Sequence, residues 1–438
     1  MSGIFGIFAP KEINVAKSTF YALYAIQHRG EESTGIASGD MFNHQIIRIK
    51  SGNGVVSTIF SEQSLNNLQG HFAIGQVSNI PGEIEPISLK ETTNGKILRT
   101  IAVVMDGRIT NCKSIEQKIG KSAKGNAQLF AELILATPGN DLMEKIMLAM
   151  RFAKGGYCAG IIGDGKLYAL RNQTGTWPLF IGEIKNINGK FYCFSSETAS
   201  FKTIGSNYLK EIQPGMLIVF DNDNLTEFSV AKPQLKFCMF EIIFRTRPDG
   251  KFGKYPIQTI REMLGGELAK KASSEADIVT GVPDSGKPAA VGYAKASKIP
   301  YEELVYKNRY IQHQQVKIPD RIKNYAVYKE ETEGKRIILV EDSLVEANTI
   351  KQIIDLLWKA GAKEIHLKVT SPPVFSQCDF GMSSTEKNLL TAQADFEDLT
   401  TFLNVNSLTF LTEEIFFKVI NATKDKFCNE CLLKKPLG

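Results

Sequence analysis

Strands and helices alternate along the second half of the chain, and this order allows few folds. The helical segment IQTIREMLGGELAKKA is followed by the apolar run ADIVTGVP, a helix, the apolar run KRIILVED, another helix and the run EIHLKVTSPP. Such an alternation predicts a parallel, doubly wound sheet, because each helix crosses back over a sheet face. Ligands bind these sheets at the carboxyl ends of the strands, which here lead into the loops at residues 282–288 and 340–349.

The first half differs, because it is built from short β-type runs that end at Gly, Asp or Asn. Examples are HFAIGQV, ILRTIAVVMDG and YCAGIIGDGKLYALRN, and a helical pattern occurs in STFYALYAIQHRG, AQLFAELILA and DLMEKIMLAMRFA. Helices sandwiched with antiparallel sheets fit this pattern. Around residues 229–238 the short β-type runs give way to alternating strands and helices. Two domains are therefore expected, at residues 1–231 and 232–438.

Composition excludes several classes of protein. The formal net charge is +5, and no Lys/Arg cluster with interleaved aromatic residues indicates nucleic-acid binding. No apolar run approaches the roughly 20 residues that span a bilayer, and no basic segment followed by an apolar stretch marks a secretory signal. A cytoplasmic protein that binds neither nucleic acid nor membrane is therefore expected.

Long stretches of the chain resemble the glutamine amidophosphoribosyltransferases, nearly end to end. They include YALYAIQHRGEESTGIA, SSETASFKTIGSNYLKEIQPG, FEIIFRTRPDG and GVPDSGKPAAVGYAKASKIPYEELVYKNRY. The resemblance implies an N-terminal-nucleophile (class II glutaminase) αββα sandwich, followed by a type I phosphoribosyltransferase doubly wound α/β domain. It also implies that ammonia released from glutamine in the first domain reaches phosphoribosyl pyrophosphate in the second, the first committed step of purine synthesis.

Ser2 occupies the position of the family's catalytic cysteine, provided that the initiator methionine is removed, as is usual before so small a residue. A thiol forms its thiolate near neutral pH, whereas an alcohol needs strong help from a base. Ser2 is either a nucleophile with its own α-amine as base or the first ordered residue of a core strand. The surrounding positions favour the second interpretation.

Four positions of the implied glutamine pocket depart from the family pattern. Ser78 replaces the arginine that holds the glutamine carboxylate, so a bidentate clamp is lost. Asp106 precedes Gly107 where the family's oxyanion hole has Asn-Gly, and an ionised Asp cannot donate a hydrogen bond. Asn126 replaces the Asp that reads the substrate amine, and Trp177 replaces an Arg.

The segment that contains Arg29, Gly30 and Glu32 keeps the family sequence. It is either a remnant of the glutamine site or a helix cap and turn that the fold still needs. Because its chemical partners have changed, the structural role is expected.

The phosphoribosyl site is altered in a different way. Glu341 and Asp342 stand where, by the resemblance, paired Asp residues hold the ribose hydroxyls. In the turn that would wrap the 5′-phosphate, Glu346 reverses the charge of an arginine and Ala347 replaces a glycine that allows close backbone approach. The residues of this stretch that match the family are Asp342, Ser343 and Thr349.

The implied pyrophosphate loop keeps Asp284 and Ser285, although Lys287 stands where Thr is usual, and Lys307 begins a matching Lys-Asn-Arg-Tyr segment. Beyond that segment His313 replaces a basic residue of the family's flexible catalytic loop, and we interpret it as a solvated loop residue. This site leaves room for a nucleotide or phosphate ligand, with Mg²⁺ only if phosphoribosyl pyrophosphate binds.

Seven cysteines are an odd set for a disulfide scaffold, and Cys112, Cys158 and Cys193 lie singly where packing is the expected role. The other four match positions that hold a four-iron cluster in many bacterial family members. Four thiolates suit an iron–sulfur (4Fe-4S) cluster, with zinc as the chemical alternative and buried free thiols as a third interpretation. These four are Cys238, Cys378, Cys428 and Cys431.

The resemblance and the altered sites together predict a catalytically impaired amidophosphoribosyltransferase homologue. We expect it to form homo- or hetero-oligomers and to act as a structural or regulatory subunit with an active amidophosphoribosyltransferase. One alternative is an active transferase that makes phosphoribosylamine with glutamine or ammonia. A second alternative is an iron–sulfur redox sensor, since exposed clusters are labile.

Overall fold

In the computed structural model the chain divides into two compact units. The first comprises Met1–Cys238 with the short segments Asp379–Ser383 and Asp425–Cys428, and the second comprises Met239–Cys378, Ser384–Lys424 and Asn429–Gly438. The main segment of the first unit thus ends a few residues beyond the predicted boundary at residue 231. The structure describes residues 2–9, 15–43, 45–80, 82–186, 189–221, 224–253, 255–307, 325–381 and 388–433.

Short strands make up most of the first unit, where apolar residues alternate along the chain and turns fall at Gly and Asn. The strands are β1 (Ser2–Phe8), β2 (Ser33–Gly39), β3 (Ile47–Asn53), β4 (Phe72–Ser78), β5 (Ile87–Thr93), β6 (Lys96–Ile109), β7 (Gly155–Gly163), β8 (Lys166–Arg171), β9 (Phe180–Asn186), β10 (Gly189–Ser195), β11 (Asn207–Glu211), β12 (Met216–Asp221), β13 (Asn224–Ser229) and β14 (Phe237–Cys238). The helices are α1 (Val15–Ala25), α2 (Val56–Ile59), α3 (Glu62–Asn66), α4 (Cys112–Ile119), α5 (Asn126–Ala136), α6 (Leu142–Phe152) and α7 (Ala199–Thr203), with a 3₁₀ turn at Gln27–Arg29.

Two antiparallel sheets lie between helices in the first unit. One has the strand order β11-β9-β10-β1-β4-β2-β3 and the other β13-β12-β8-β7-β6-β5. Helix α1 packs on the first sheet, where Leu23 shares a core with Phe5, and α5 and α6 pack on the second, where Phe130 and Ile146 share a core with Met105. Strands β1 and β6 contact each other across the sheets. This order of layers is the predicted αββα sandwich.

The second unit is built around a parallel sheet, as the alternation of strands and helices predicts. Its strands are β15 (Lys251–Phe252), β16 (Tyr255–Pro256), β17 (Ile278–Gly281), β18 (Val305–Lys307), β19 (Tyr325–Val327), β20 (Arg336–Glu341), β21 (Glu364–Val369) and β22 (Ser407–Phe410). Its helices are α8 (Ile257–Lys271), α9 (Lys287–Ser297), α10 (Lys329–Thr332), α11 (Asn348–Lys359), α12 (Leu390–Gln393), α13 (Leu399–Phe402) and α14 (Glu413–Ile420), after a π-helical turn at Glu241–Arg245.

The parallel sheet has the order β17-β20-β21-β22. The residues Gly281 and Val340 are cross-strand partners, so the loops that follow β17 and β20 leave the sheet at the same edge. One face of the sheet buries Leu339 and Leu367 against α11, whose apolar residues recur at helical spacing, as in Ile350 and Ile354. This packing fixes the two loops that the sequence predicts to line a site.

A two-residue pairing brings distant parts of the chain together in the first unit. Strand β14 pairs in parallel with β23 (Phe427–Cys428), so that Cys238 lies opposite Cys428. The rings of Phe237 and Phe427 pack edge to face, 5.9 Å apart between centroids. Among the described residues, no helix is both long and apolar enough to cross a membrane.

Candidate functional site

Ser2 lies buried at the start of the central strand β1. Its cross-strand partner is Ser78, the residue that replaces the clamping arginine, and the Ser2 hydroxyl lies 3.2 Å from the Ser78 hydroxyl. Ser78 Oγ also accepts a hydrogen bond from the backbone N–H of Ile80, at 3.1 Å. The structure therefore places an uncharged hydroxyl pair where the resemblance implies a nucleophile beside a cation.

Arg29 is the centre of a buried network beside Ser2. Its Nε donates to the Ser2 carbonyl at 3.1 Å, its Nη1 lies 2.8 Å from Glu197 Oε1, and its Nη2 lies 3.2 Å from Asp106 Oδ2. His28 Nε2 also lies 2.7 Å from Glu197 Oε1. The guanidinium is fully buried, so it balances two carboxylates inside the protein.

Glu197 is the member of this network that the sequence analysis did not identify. Burial alone would raise its pKa, but the charges and hydrogen bonds of His28 and Arg29 outweigh burial and lower the pKa to about 2. A buried arginine needs carboxylate partners, so the acidic residue directly after the apolar run FYCFSS was the signal that could have found it. Arg29 thus joins two buried carboxylates and the Ser2 carbonyl, whereas its expected role in a helix cap and turn stays a prediction.

Asp106 sits at the implied oxyanion position with its carboxylate turned to protein groups. Besides Arg29, it accepts a hydrogen bond from Ser196 Oγ at 3.4 Å, and it is fully buried. The preceding strand residue, Met105, donates its backbone N–H to Glu85 at 2.7 Å. Burial and nearby acidic residues raise the pKa of Glu85 well above its usual range, which favours its neutral form.

Gly107, the other implied oxyanion residue, is covered by protein atoms. It has φ +102°, and a Cβ added there would overlap the indole of Trp177 and the carbonyl of Gly156. Trp177 Nε1 donates to the Gly156 carbonyl at 3.0 Å and to the Phe380 carbonyl at 3.1 Å. Trp177, which replaces an arginine of the family pattern, therefore packs on the oxyanion position and contributes no charge there.

Asn126, at the position of the amine-reading Asp, begins α5 and is committed to the backbone. Its Oδ1 accepts the backbone N–H of Ile109 at 2.9 Å. Near its N-terminal neighbour Gly125 lies Glu83, whose pKa is raised, mainly by burial, although Arg108 opposes the shift. The side-chain carbonyl of Asn126 therefore links the start of α5 to the end of β6.

The second unit brings together the two loops of the implied phosphoribosyl site. Asp284 and Ser285 follow β17, Glu341 ends β20, and Asp342 and Ser343 follow Glu341. Ser343 Oγ donates to Asp342 Oδ1 at 2.6 Å, and the side chain of Ser285 also hydrogen-bonds Asp342. The predicted acidic residues and the predicted pyrophosphate loop are therefore neighbours.

Glu341 and Asp342 are both buried and do not titrate independently. Glu341 Oε1 accepts the backbone N–H of Asp342 at 2.8 Å, so this carboxyl is turned back onto its own loop. Burial and the nearby Asp342 raise the pKa of Glu341 well above its usual range. Burial also raises the pKa of Asp342, against hydrogen bonds from Ser285 and Ser343 and the charge of Arg261. The pair favours a form that keeps a proton.

The turn after β20 carries the residues that depart from the family's 5′-phosphate segment. Ala347 is buried as the N-cap of α11, and Glu346 bridges to Leu389. Thr349 is exposed in the first turn of that helix, and Lys287 Nζ lies 3.0 Å from Glu303. Lys307 is exposed at the end of β18, whereas the rest of the Lys-Asn-Arg-Tyr segment and His313 lie outside the described residues.

The four cysteines predicted to hold a cluster are divided between the two units. Cys238 and Cys428 face each other in the first unit, and in the second the backbone N–H of Ser376 donates to the Cys431 carbonyl at 3.2 Å, two residues before Cys378. Within either unit, the described residues include no group of three or more His, Cys, Asp or Glu side chains arranged to hold a metal ion.

Known proteins resemble the whole chain. A model of the phosphoribosyl transferase domain family matches residues 256–371. The amidophosphoribosyltransferase of Synechococcus elongatus is 32% identical over an alignment that covers 98% of this chain and 90% of that protein. The chain belongs to the amidophosphoribosyltransferase family. The Bacillus subtilis amidophosphoribosyltransferase is 30% identical, with coverage of 98% and 92%.

Solved structures of the family confirm the predicted fold. The glutamine phosphoribosylpyrophosphate amidotransferase from B. subtilis, complexed with ADP and GMP, has TM-score 0.90 and 28% identity over 99% of this chain and 96% of that chain. The allosteric regulatory enzyme of purine biosynthesis has TM-score 0.91 and 27% identity over 99% and 95%. The fold is thus a class II glutaminase sandwich followed by a type I phosphoribosyltransferase domain.

Proposed function

We propose that this member of the amidophosphoribosyltransferase family does not hydrolyse glutamine and acts in purine biosynthesis as a structural or regulatory subunit. In this proposal it assembles with an active amidophosphoribosyltransferase. The observation that carries the proposal is the buried ion pair between Arg29 and Asp106, 3.2 Å apart, at the implied oxyanion position.

Electrostatics supports the loss of glutaminase chemistry. A tetrahedral oxyanion needs hydrogen-bond donors, and removing one such donor costs about 10²–10³ in rate. Asp106 can only accept while it is ionised, and Arg29 is engaged with Asp106, Glu197 and the Ser2 carbonyl. Ser78 adds no charge to hold a substrate carboxylate. Each of these features weakens glutamine hydrolysis, either at the oxyanion or at the substrate carboxylate.

The phosphoribosyl half of the molecule supports binding more than turnover. Asp342 keeps its contacts with Ser285 and Ser343, so part of the family's sugar and pyrophosphate site is intact. Glu346 opposes a 5′-phosphate by its negative charge. Ala347 opposes it by the bulk of its methyl group. We therefore propose a weak nucleotide or phosphate ligand, with Mg²⁺ only alongside phosphoribosyl pyrophosphate.

An active, ammonia-dependent transferase is the second candidate, and the retained contacts of Asp342 are the observation that favours it. The purified chain is assayed for phosphoribosylamine formation from phosphoribosyl pyrophosphate with glutamine or with ammonia. We expect rates no higher than those of the Asp342→Asn variant. Steady formation above this control would refute the impairment, and formation with ammonia alone would select the second candidate.

The subunit role has its own test. The chain is purified from its native cell under gentle conditions, and co-eluting proteins are identified. A second, catalytically complete family member at fixed stoichiometry is the expected result. Recovery of the chain alone, or as homo-oligomers only, would contradict mixed assembly while leaving the impairment intact. A cytoplasmic location stays a prediction.

We also propose that Cys238, Cys378, Cys428 and Cys431 hold a 4Fe-4S cluster, since their thiols fit its ligand chemistry. The facing positions of Cys238 and Cys428, and the backbone contact between Ser376 and Cys431, support the choice of these four. The cluster would tie the C-terminal segment to the rest of the fold. Zinc is the alternative metal, and metal analysis of anaerobically purified protein distinguishes the two. If the cluster has a redox-sensing role, exposure of the protein to air should change how it assembles with itself or with its partner.

A further inference from the structure

The outer edge of the parallel sheet borders a groove that neither implied site uses. Strand β22 is last in the order β17-β20-β21-β22, and no strand of the described chain pairs with its outer edge. Its four residues, SLTF, include no charged residue and no proline. Exposed edges usually carry such residues, because they block pairing with a further strand. Within the described ranges, the outer edge of β22 thus has neither a strand partner nor the residues that commonly block one.

The groove beside β22 has a volume of about 660 Å³ and an aromatic floor. The ring centroids of Phe375 and Phe396 lie 5.6 Å apart, and those of Phe396 and Phe410 lie 5.7 Å apart. Phe396 is 39% exposed and Leu433, on the opposite wall, is 48% exposed. Water therefore reaches apolar surface here, and covering that surface is favourable.

Acidic side chains border this aromatic floor. Glu413 and Glu414 line the groove at the start of α14; Glu413 pairs with Lys424, whereas Glu414 is exposed. The turn that carries Phe396 holds three further exposed carboxylates next to this groove residue in sequence, on a chain whose net charge is +5. Such a border attracts cationic partner side chains and repels anionic ones. The exposed acids beside Phe396 are Asp395, Glu397 and Asp398.

We propose that this edge docks an extended basic segment of a partner protein. The segment adds to β22 through its backbone, places an apolar side chain on the aromatic floor, and presents Lys or Arg to Glu414 and its neighbours. An open strand edge supplies the backbone hydrogen bonds, and the acidic border supplies the preference for a cationic sequence. The inference goes beyond the proposed function and does not depend on whether either implied site is active.

The test uses the full chain and a short fluorescein-labelled peptide in which valine and phenylalanine alternate with lysine. Fluorescence anisotropy is expected to show saturable binding that weakens as salt is added. A peptide with Glu in place of each Lys is expected to bind at least about tenfold more weakly. Glu414→Lys is expected to weaken binding of the basic peptide by about tenfold, whereas Glu331→Lys, at an exposed position of α10, leaves it unchanged.

Three outcomes would overturn the proposal. The first is equal binding of the basic and acidic peptides. The second is an equal effect of Glu414→Lys and Glu331→Lys on binding, when circular dichroism shows that both variants are folded like the unmodified protein. The third is photo-crosslinking of the peptide to positions other than Phe396 and residues 407–411. A further outcome is that the chain binds no peptide but self-associates, and that Glu414→Lys reduces this self-association. That result would assign the groove to a second copy of the chain and would also refute a basic peptide as its occupant.

Discussion

Replacing Arg29 with Met is expected to destabilise the first unit severely. The guanidinium is fully buried, lies 2.8 Å from Glu197 and 3.2 Å from Asp106, and donates to the Ser2 carbonyl at 3.1 Å. Met fills much of the same volume but removes the guanidinium from both carboxylates, and of its former partners Glu197 keeps His28 at 2.7 Å. Removing one partner of a buried pair costs about 3–5 kcal/mol, and we expect a loss of this size in the free energy of unfolding.

Urea unfolding of the full chain measures this loss, with Lys17→Met as the matched control in the same unit. Lys17 pairs with Glu62 at 3.2 Å, but the two side chains are 44% and 77% exposed, so the control is expected to lose little stability. Adding Asp106→Asn to Arg29→Met removes one stranded charge and is expected to recover about 1–3 kcal/mol. A loss below about 1 kcal/mol for Arg29→Met, or no recovery in the double variant, would refute the reasoning.

Acid should weaken the same network, because the pKa of Glu197 falls from 4.5 to about 2 on folding. Its contribution, on the order of 3 kcal/mol, is complete above about pH 5 and is lost as the pH falls toward 2; Glu197→Gln should flatten this dependence in unfolding titrations. Lys368→Met should raise the free energy of unfolding at pH 7, because burial lowers the pKa of this lysine, whose Nζ donates to Thr409. That gain should shrink at high pH, where the lysine is neutral, as paired pH titrations would show. Anaerobically purified protein should contain about four iron atoms per chain, and Cys378→Ser should lose them while Cys112→Ser keeps them in metal analysis.

Local pattern was sufficient to predict most of the secondary structure. Helix α11 shows why: Ile350, Ile353, Ile354 and Leu357 recur at helical spacing, and all four are buried on one side. The order of strands and helices then limits the second unit to a parallel sheet. The pairing of β14 with β23 could not be predicted this way, because two-residue strands carry no periodic signal and their partners are far apart in sequence.

The candidate sites were predictable as positions but not as interactions. The sequence identifies Asp106 and Glu341 as departures from the family pattern. It does not reveal that Asp106 faces Arg29, or that Glu341 accepts the backbone N–H of its own neighbour. Both facts depend on where packing turns a side chain. Glu197 was missed for the same reason, since it becomes important only once Arg29 is known to be buried beside it.

Under the proposed loss of glutaminase activity, the network around Arg29 would make a return to catalysis difficult by single substitutions. A cysteine at position 2 would leave Asp106 paired with Arg29, and an arginine at position 78 would enter a buried site where Ser2 and Ser78 now share a hydroxyl contact. An asparagine at position 106 would restore a donor but remove a buried ion pair. Each single change back toward the family pattern would disturb a contact that the fold now uses. The Arg29–Asp106 pair, which supports the proposed loss of oxyanion stabilisation, is therefore also one whose disruption is expected to destabilise the protein.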